Sequence, residues 1–320
     1  MPADTGRARI LLADDDTAIL KAISRTLADD FQVVGAVTDG QQAVDAARRL
    51  DPDVAVLDIS MPGLNGFQTA AELKRLGSRA RIVFLTMHED DDFVAKAIKF
   101  GATGYVLKTL AWSDLPTALA HALAGRQYLP SLTPLVMTNV DAHAVQFHGE
   151  NTSWLDGVAD VLIRAIHRGD IVVTALSESN RDDLACRMTA QGWNLADLRA
   201  RGRYLVFDAE EAATQVLRDG RAHRDSIAQM VAALETARTA SPAWPRTHLT
   251  LVGEIAGVLY RRGNPEAALE LERLWDELTR SLPILTICAY STDCFDRDRT
   301  PGLVAAISAH HSVISHAVDA

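Results

Sequence analysis

PDVAVLDISMPGLNG, residues 52–66, carries an apolar run that ends on an aspartate, then a proline-glycine turn, then an asparagine-glycine pair where a helix can begin. Val54–Leu57 has the length and composition of a strand buried on both faces, as in a parallel sheet. Asp58 then stands where the chain leaves the sheet. The same alternation repeats on both sides. Ile10–Ala13, Val33–Val37, Ile82–Leu85 and Tyr105–Leu107 are further strand-like runs. Between them lie amphipathic stretches at Thr17–Leu27, Gln41–Leu50, Gly66–Leu76, Asp91–Phe100 and Trp112–Ala124. Gly101 and Gly125 follow the last turns of their helices, where a left-handed residue is wanted. Five such repeats predict a parallel, doubly wound sheet with helices on both faces. Ligands of such sheets bind beyond the carboxyl ends of the strands.

That edge collects chemistry. Strand one runs into Asp14, Asp15 and Asp16, strand three into Asp58, strand four into Thr86 and strand five into Lys108. Crowded carboxylates repel, so the site needs a cation. Oxygen ligands with open positions suit Mg²⁺. A carboxylate beside Mg²⁺ and an ammonium can attack a phosphoryl group to give an acyl phosphate. Asp16 also reads as the N-cap of the next helix.

Together with ILLADDD (10–16), VFLTMHED (83–90) and GATGYVLK (101–108), the quoted stretch resembles the receiver domain of response regulators, particularly the transcription-regulator subfamily, over residues 7–128. The resemblance implies a flavodoxin-like (βα)5 fold and Asp58 as phosphoacceptor from a sensor histidine kinase or phosphotransfer protein. It implies Mg²⁺ held by Asp14, Asp15, Asp58 and the backbone carbonyl of Ser60. Thr86 would bond the phosphoryl oxygen, Lys108 would pair with its charge, and Tyr105 would follow Thr86 inward. A second copy of the chain is an expected partner on the strand four–helix four–strand five face. Thr109 departs from the family, in which proline often follows the lysine.

The 320 residues leave room for a second domain of similar standing. Every lysine lies at or before Lys108, and residues 129–320 hold 18 Arg against 25 Asp and Glu, a net of −7. The whole chain carries −10, which argues against a broad surface for nucleic acid or anionic lipid. No apolar run approaches the ~20 residues that span a bilayer. The first residues lack the apolar core of a signal peptide. Cys186, Cys288 and Cys294 are too sparse for a disulfide framework. A cytoplasmic protein without a membrane partner is expected.

The domains read as 1–125 for the receiver, 126–142 for a linker containing Pro130 and Pro134, and 143–320 for a second α/β domain. Its strand-like runs are Ala144–Phe147, Ile171–Leu176, Tyr204–Asp208, Leu249–Gly253 and Ile284–Tyr290. Helical patterns fill the gaps, the last over Leu303–His316. No helix-turn-helix with a basic recognition face is present. IVVTALSESNRDDLACRM (171–188) has no GxxxxGK[ST], its loop has no glycine, and the domain has no lysine, so a phosphate cradle of that type is missing.

HAVQF (143–147), GDIVVTALSESNRDDLACRM (169–188), ARGRYLVFDAEEA (200–212), LVGEIAGVLYRRGNPEAALELERLWDEL (251–278) and ILTICAYSTDCF (284–295) resemble the MEDS domain, a sensory domain of methanogen and methylotroph regulators, over residues 140–298. The resemblance implies a RecA-like α/β fold lacking its P-loop, and a role in sensing small molecules such as hydrocarbon derivatives.

The edge rule brings the loops after Leu176, Asp208, Gly253 and Tyr290 to one rim. Ser177, Asp208, Glu254 and Ser291 are then the polar candidates beside a small, largely uncharged ligand. Glu254 also reads as a helix-start carboxylate, with His143 and Asp208 expected near it. Cys288 and Tyr290 read as core, as do Leu271, Leu274, Trp275 and Leu278 at helical spacing. His310, His311 and His316 read as solvated on a terminal helix, not as metal ligands. The sequence thus predicts a response regulator without a DNA-binding domain, and no enzyme beyond its own phosphotransfer and dephosphorylation. A transcriptional regulator touching DNA through an unrecognised surface and a degenerate RecA-like nucleotide enzyme are the alternatives. Acidic charge disfavours the first and missing lysine the second.

Overall fold

In the computed structural model the described residues are 6–130, 141–149, 154–241, 247–292 and 302–316. The chain divides into two compact units, Met1–Pro130 and Ser131–Ala320.

The first unit is an α/β layer structure. Strands β1 (Arg9–Ala13), β2 (Gln32–Val37), β3 (Val54–Leu57), β4 (Arg81–Thr86) and β5 (Ala102–Leu107) form a parallel sheet in the order β2-β1-β3-β4-β5. Helices α1 (Thr17–Leu27), α2 (Gly40–Leu50), α3 (Gly66–Arg75), α4 (Asp91–Lys99) and α5 (Ala111–Leu123) connect and cover it. All four residues of β3 are buried, as its unbroken apolar run requires. Helix starts follow local chemistry. Asp16 caps α1 through the Ala18 amide at 2.7 Å, and Asn65 with Gln68 forms a capping box on α3. Gly66 is demanded by space, because a Cβ there would lie 2.3 Å from the Asp58 carbonyl oxygen. Gln127–Leu129, within the stretch expected as linker, forms a short strand β6 that pairs with β5 through Gly104 and Tyr128. Linker residues 131–140 lie outside the described residues.

The second unit holds β7 (Ala142–His148), β8 (Ile171–Leu176), β9 (Tyr204–Asp208), β12 (Leu249–Gly253), β13 (Ile284–Ser291) and β14 (Val313–His316) in the order β14-β7-β13-β12-β8-β9, every pair parallel. A small antiparallel hairpin, β10 (Leu217–Arg218) with β11 (Arg221–Ala222), stands apart from it. The helices are α6 (Trp154–Arg168), α7 (Glu178–Ala190), α8 (Leu195–Ala200), α9 (Ala209–Gln215), α10 (Arg224–Thr239), α11 (Ile255–Arg261), α12 (Pro265–Thr279) and α13 (Leu303–Ser308). Asn264 caps α12 ahead of Pro265 at its first position.

One expectation is corrected. The helix predicted over Leu303–His316 stops at Ser308, and Val313–His316 becomes a strand paired with β7. Its β-branched Val313 and Ile314 suit a strand, and the open side of β7 supplies backbone partners that no local pattern reveals. Among the described residues no helix is long and apolar enough to cross a membrane.

Candidate phosphoacceptor site and sensory pocket

The carboxyl ends of β1, β3, β4 and β5 build the first site. The Asp58 amide donates to the Ala13 carbonyl at 2.8 Å, which ties the end of β3 to that of β1. Asp14 and Asp58 are 2% and 3% exposed, whereas Asp15 is exposed. Carboxylate oxygens of the three lie within 4.8 Å of one another. Lys108, just past β5, places Nζ 2.7 Å from Asp14 Oδ2 and 2.9 Å from Asp58 Oδ2. Burial raises the pKa of Asp14 against the lowering influence of Lys108 and the Asp16 amide. Burial also works against the charge of Lys108, but Asp14 and Asp58 outweigh it and raise its pKa. Three carboxylates facing one ammonium leave negative charge uncompensated. This all-oxygen donor set fits Mg²⁺, which accepts carboxylates and keeps positions open for phosphate oxygens.

Thr86 is fully buried at the end of β4, and its Oγ1 accepts from the His88 amide at 3.3 Å. The Tyr105 hydroxyl, also buried, donates to the His88 carbonyl at 2.8 Å. Both therefore converge on one residue that sequence reasoning did not single out. The His88 ring stacks on Phe93 with centroids 4.0 Å apart, and its Nε2 lies 3.1 Å from Ser60 Oγ. The Ser60 amide in turn donates to Asp58 Oδ1 at 3.2 Å.

In the second unit the rim residues are engaged with the fold. Glu254 accepts from the Ser177 amide at 2.8 Å, the Ser177 hydroxyl at 3.0 Å and Asn180 Nδ2 at 2.7 Å. It thus closes the N-terminus of α7. Asp208 caps α9 and pairs with Arg181 at 3.0 Å; the Glu211 amide first, then Arg181, lowers its pKa. Ser291 ends β13. His143, expected beside Glu254, instead contacts Glu272, with Nε2 3.1 Å from Oε2.

An apolar pocket lies between the face of the sheet carried by Val173, Leu251 and Thr286 and the helices that cover it, including Met230, Leu234 and Trp275. Among the described residues Glu272 is the one charged side chain in its lining, beside Cys288. Glu272 is 1% exposed, and Tyr290 donates to its Oε1 at 2.6 Å. Burial opposes the charge of Glu272, but the His311 and His143 rings outweigh burial and hold its pKa well below the ordinary carboxylate range. Burial pushes the Cys288 thiol well up, with Glu272 adding to the effect.

A family model for the response regulator receiver domain matches residues 10–120. The MEDS model (methanogen/methylotroph, DcmR sensory domain) matches residues 142–311, more than half of the chain. The chain belongs to the MEDS family. Its MEDS domain follows a response-regulator receiver domain. The nitrate/nitrite response regulator protein NarL of Escherichia coli (strain K12) is 37% identical over 139 residues, 42% of this chain and 64% of NarL. The chain thus spans less than two thirds of that relative. The transcriptional regulatory protein DesR of Bacillus subtilis (strain 168) is 30% identical over 196 residues, 58% of this chain and 98% of DesR. The signal receiver domain of a NarL from Mycobacterium tuberculosis is 30% identical and covers 38% of this chain and 98% of its own, with a TM-score of 0.37.

Within the MEDS domain, Glu272 is the residue that sequence reasoning missed. Its signal was present: Ala268, Leu271, Glu272, Trp275 and Thr279 form one buried stripe of α12, so a carboxylate occupies a core position, where it needs a partner. His311 was misjudged with the terminal helix. It is 2% exposed, and its ring centroid lies 4.2 Å from that of His143. His310 stays at the surface side of the MEDS domain, in the lining of a separate groove with Arg273 and Glu270. The side chain of His316 and all of Cys294 lie outside the described residues.

Proposed function

We propose that the chain is a two-component response regulator that takes a phosphoryl group on Asp58 and carries a MEDS domain as a ligand-responsive output that does not bind DNA. The observation that carries this reading is Lys108 Nζ bridging Asp14 and Asp58 at the mouth of the sheet. An Asp58 carboxylate oxygen attacks phosphorus, the N–P bond of a phosphohistidine on the kinase or phosphotransfer protein breaks, and the imidazole leaves with a proton. Mg²⁺, when held by Asp14, Asp15, Asp58 and the Ser60 carbonyl, supplies neutralisation of the phosphoryl oxygens. Lys108 pairs with the charge that Asp58 gains. The Thr86 hydroxyl turns from the His88 amide to a phosphoryl oxygen, and the buried Tyr105 keeps the loop on His88 in step. A shift from 1:99 to 99:1 between states needs about 5.5 kcal/mol of differential interaction. The β4–α4–β5 face, beside which Met87 is 63% exposed, is where a second copy docks.

Labelling of the full chain with acetyl phosphate and Mg²⁺, followed by mass spectrometry, tests the chemistry. One phosphoryl group on Asp58 is expected. Labelling that survives Asp58→Asn, or that ignores EDTA, sinks the assignment.

The MEDS domain binds a small, largely uncharged molecule. The apolar lining supports this, since such pockets combine apolar walls with few polar groups. Ser177, Asp208, Glu254 and Ser291 do not line this pocket; they stand as a polar rim at the carboxyl edge of the sheet. Thermal shift of the full chain against short alcohols, amides and halogenated hydrocarbons tests it, since a bound species stabilises by about 2.7 kcal/mol at 100 Kd. A hit that persists unchanged in Leu251→Trp places the ligand outside the pocket. The net charge of −10 supports the non-DNA output; salt-dependent nanomolar binding to its own promoter region would overturn it.

A further inference from the structure

We infer that His143, Glu272, Cys288 and His311 form a site for one divalent transition-metal ion of the zinc class. The four come from separate places in the chain: β7, α12, β13 and the turn before β14. One donor atom from each lies within 4.8 Å of all the others.

The hydrogen bonds show what the cluster lacks. His311 Nδ1 lies 2.8 Å from the Ile307 carbonyl. A carbonyl only accepts, so Nδ1 carries a proton, and Nε2 faces Glu272 either with a second proton, as an imidazolium, or with a bare lone pair that a metal ion can take. That Nε2 is buried, makes no hydrogen bond among the described residues, and faces Glu272 Oε2 at 3.5 Å. A lone pair aimed at a carboxylate in a dry site is repulsive unless a cation stands between them. His143 Nε2 lies 3.1 Å from Glu272 Oε2 and 3.3 Å from the Cys288 thiol. Cys288 Sγ is itself 3.3 Å from Oε2.

Four of the six distances between these donors are 3.1, 3.3, 3.3 and 3.5 Å, and the two from His311 Nε2 to His143 and Cys288 are at most 4.8 Å. Ligands placed tetrahedrally at zinc bond lengths stand roughly 3.3–3.6 Å from one another. The surroundings also hold the donors in place. Tyr290 occupies Glu272 Oε1 at 2.6 Å and leaves Oε2 for the centre, while the Ile307 carbonyl fixes the His311 tautomer. Metal-ligating imidazoles and carboxylates are oriented in this way. Two imidazole nitrogens, a sulfur and one oxygen disfavour Mg²⁺ and Ca²⁺ and suit Zn²⁺ or Co²⁺. Four protein donors leave no open position, as in closed zinc sites. The proposal does not depend on any molecule occupying the apolar pocket.

The test is a Co²⁺ titration of the chelator-treated full chain, with excess Mg²⁺ present to occupy the oxygen site of the receiver. One equivalent should produce tetrahedral visible bands and a thiolate-to-cobalt charge-transfer band, and Zn²⁺ should bleach both one for one. Cys288→Ser should abolish the charge-transfer band, and His311→Ala should weaken Co²⁺ binding at least ~10-fold. Cys186→Ser, which changes an exposed cysteine outside the cluster, should leave the spectrum as it was. Wild-type protein that shows no charge-transfer band at saturating Co²⁺ overturns the proposal, whether or not any variant folds; the cluster would then be a proton-sharing network. A band that persists in Cys288→Ser overturns it as well.

Discussion

Replacing Lys108 with alanine removes the ammonium that bridges Asp14 and Asp58 and leaves two nearly buried carboxylates facing each other. Their oxygens lie within 4.8 Å, where two unit charges at an effective dielectric of ~20 repel by about 3 kcal/mol. Breaking a buried pair by deleting one partner costs a similar amount. At neutral pH without divalent cations the receiver transition should therefore lose about 3 kcal/mol, or roughly 10 °C in melting temperature. The loss depends on pH. The pKa of Asp14 is already raised in the folded state, and its bond to Lys108 is one of the influences that restrain it. Without Lys108 the pKa climbs further. Repulsion is then fully felt above that folded pKa and is relieved as pH falls through it and Asp14 takes up a proton. The difference between variant and wild type should shrink from pH 7 to pH 5. Saturating Mg²⁺ should restore more stability to the variant than it adds to the wild type, because it supplies the missing positive charge. Urea unfolding at both pH values, with EDTA and with Mg²⁺, reads all of this. A variant within 0.5 kcal/mol of wild type in EDTA at pH 7 (about the uncertainty of such curves), or one equally destabilised at both pH values, would refute the reasoning.

Gly66→Ala should destabilise the receiver by about 2 kcal/mol through overpacking against the Asp58 carbonyl, and acetyl-phosphate labelling should slow with it; an unchanged melt would show that the turn gives way. Tyr105→Phe deletes the hydroxyl bond to His88 and should cost about 1 kcal/mol, measured by urea unfolding, with the loop after β4 exchanging its amides faster. Glu254→Ala strips three hydrogen bonds from the start of α7 and should cost the MEDS domain about 2–4 kcal/mol. Hydrogen exchange would localise that loss to α7, while labelling of Asp58 stays at the wild-type level.

The receiver was legible because its signals are local. Each strand end is marked by the residue that follows it, so Asp14, Asp58, Thr86 and Lys108 could be assigned to one edge before any coordinates. His88 escaped because its role lies in its backbone, where the amide and carbonyl serve Thr86 and Tyr105; side-chain identity carries no trace of that. Five strands of the second domain were equally readable, but its last strand, its small hairpin and its polar groups were not. Glu254 finds its partners 74 and 77 residues away in sequence, and Glu272 looked like one more acid on a charged helix. His311 was lost with the misread end of a helix. What turns residues 313–316 into a strand is the free edge of β7, a tertiary preference that overrides local propensity.

Among the described residues of the MEDS sheet, the first strand pairs with the last two in the chain. β7 pairs with β13 on one side and with β14 on the other within that domain. As the chain leaves a ribosome, residues 142–148 therefore emerge with no strand to join, while the receiver behind them already has its five strands. At about 5–20 residues per second, the wait until residue 316 is on the order of 10–30 s. The receiver folds during synthesis. The MEDS domain closes late: β7 exposes two unpaired edges until β13 emerges at residue 291, and one until β14 follows at residue 316. That makes it the segment that a chaperone would meet first and the place where a stalled or shortened chain would begin to aggregate.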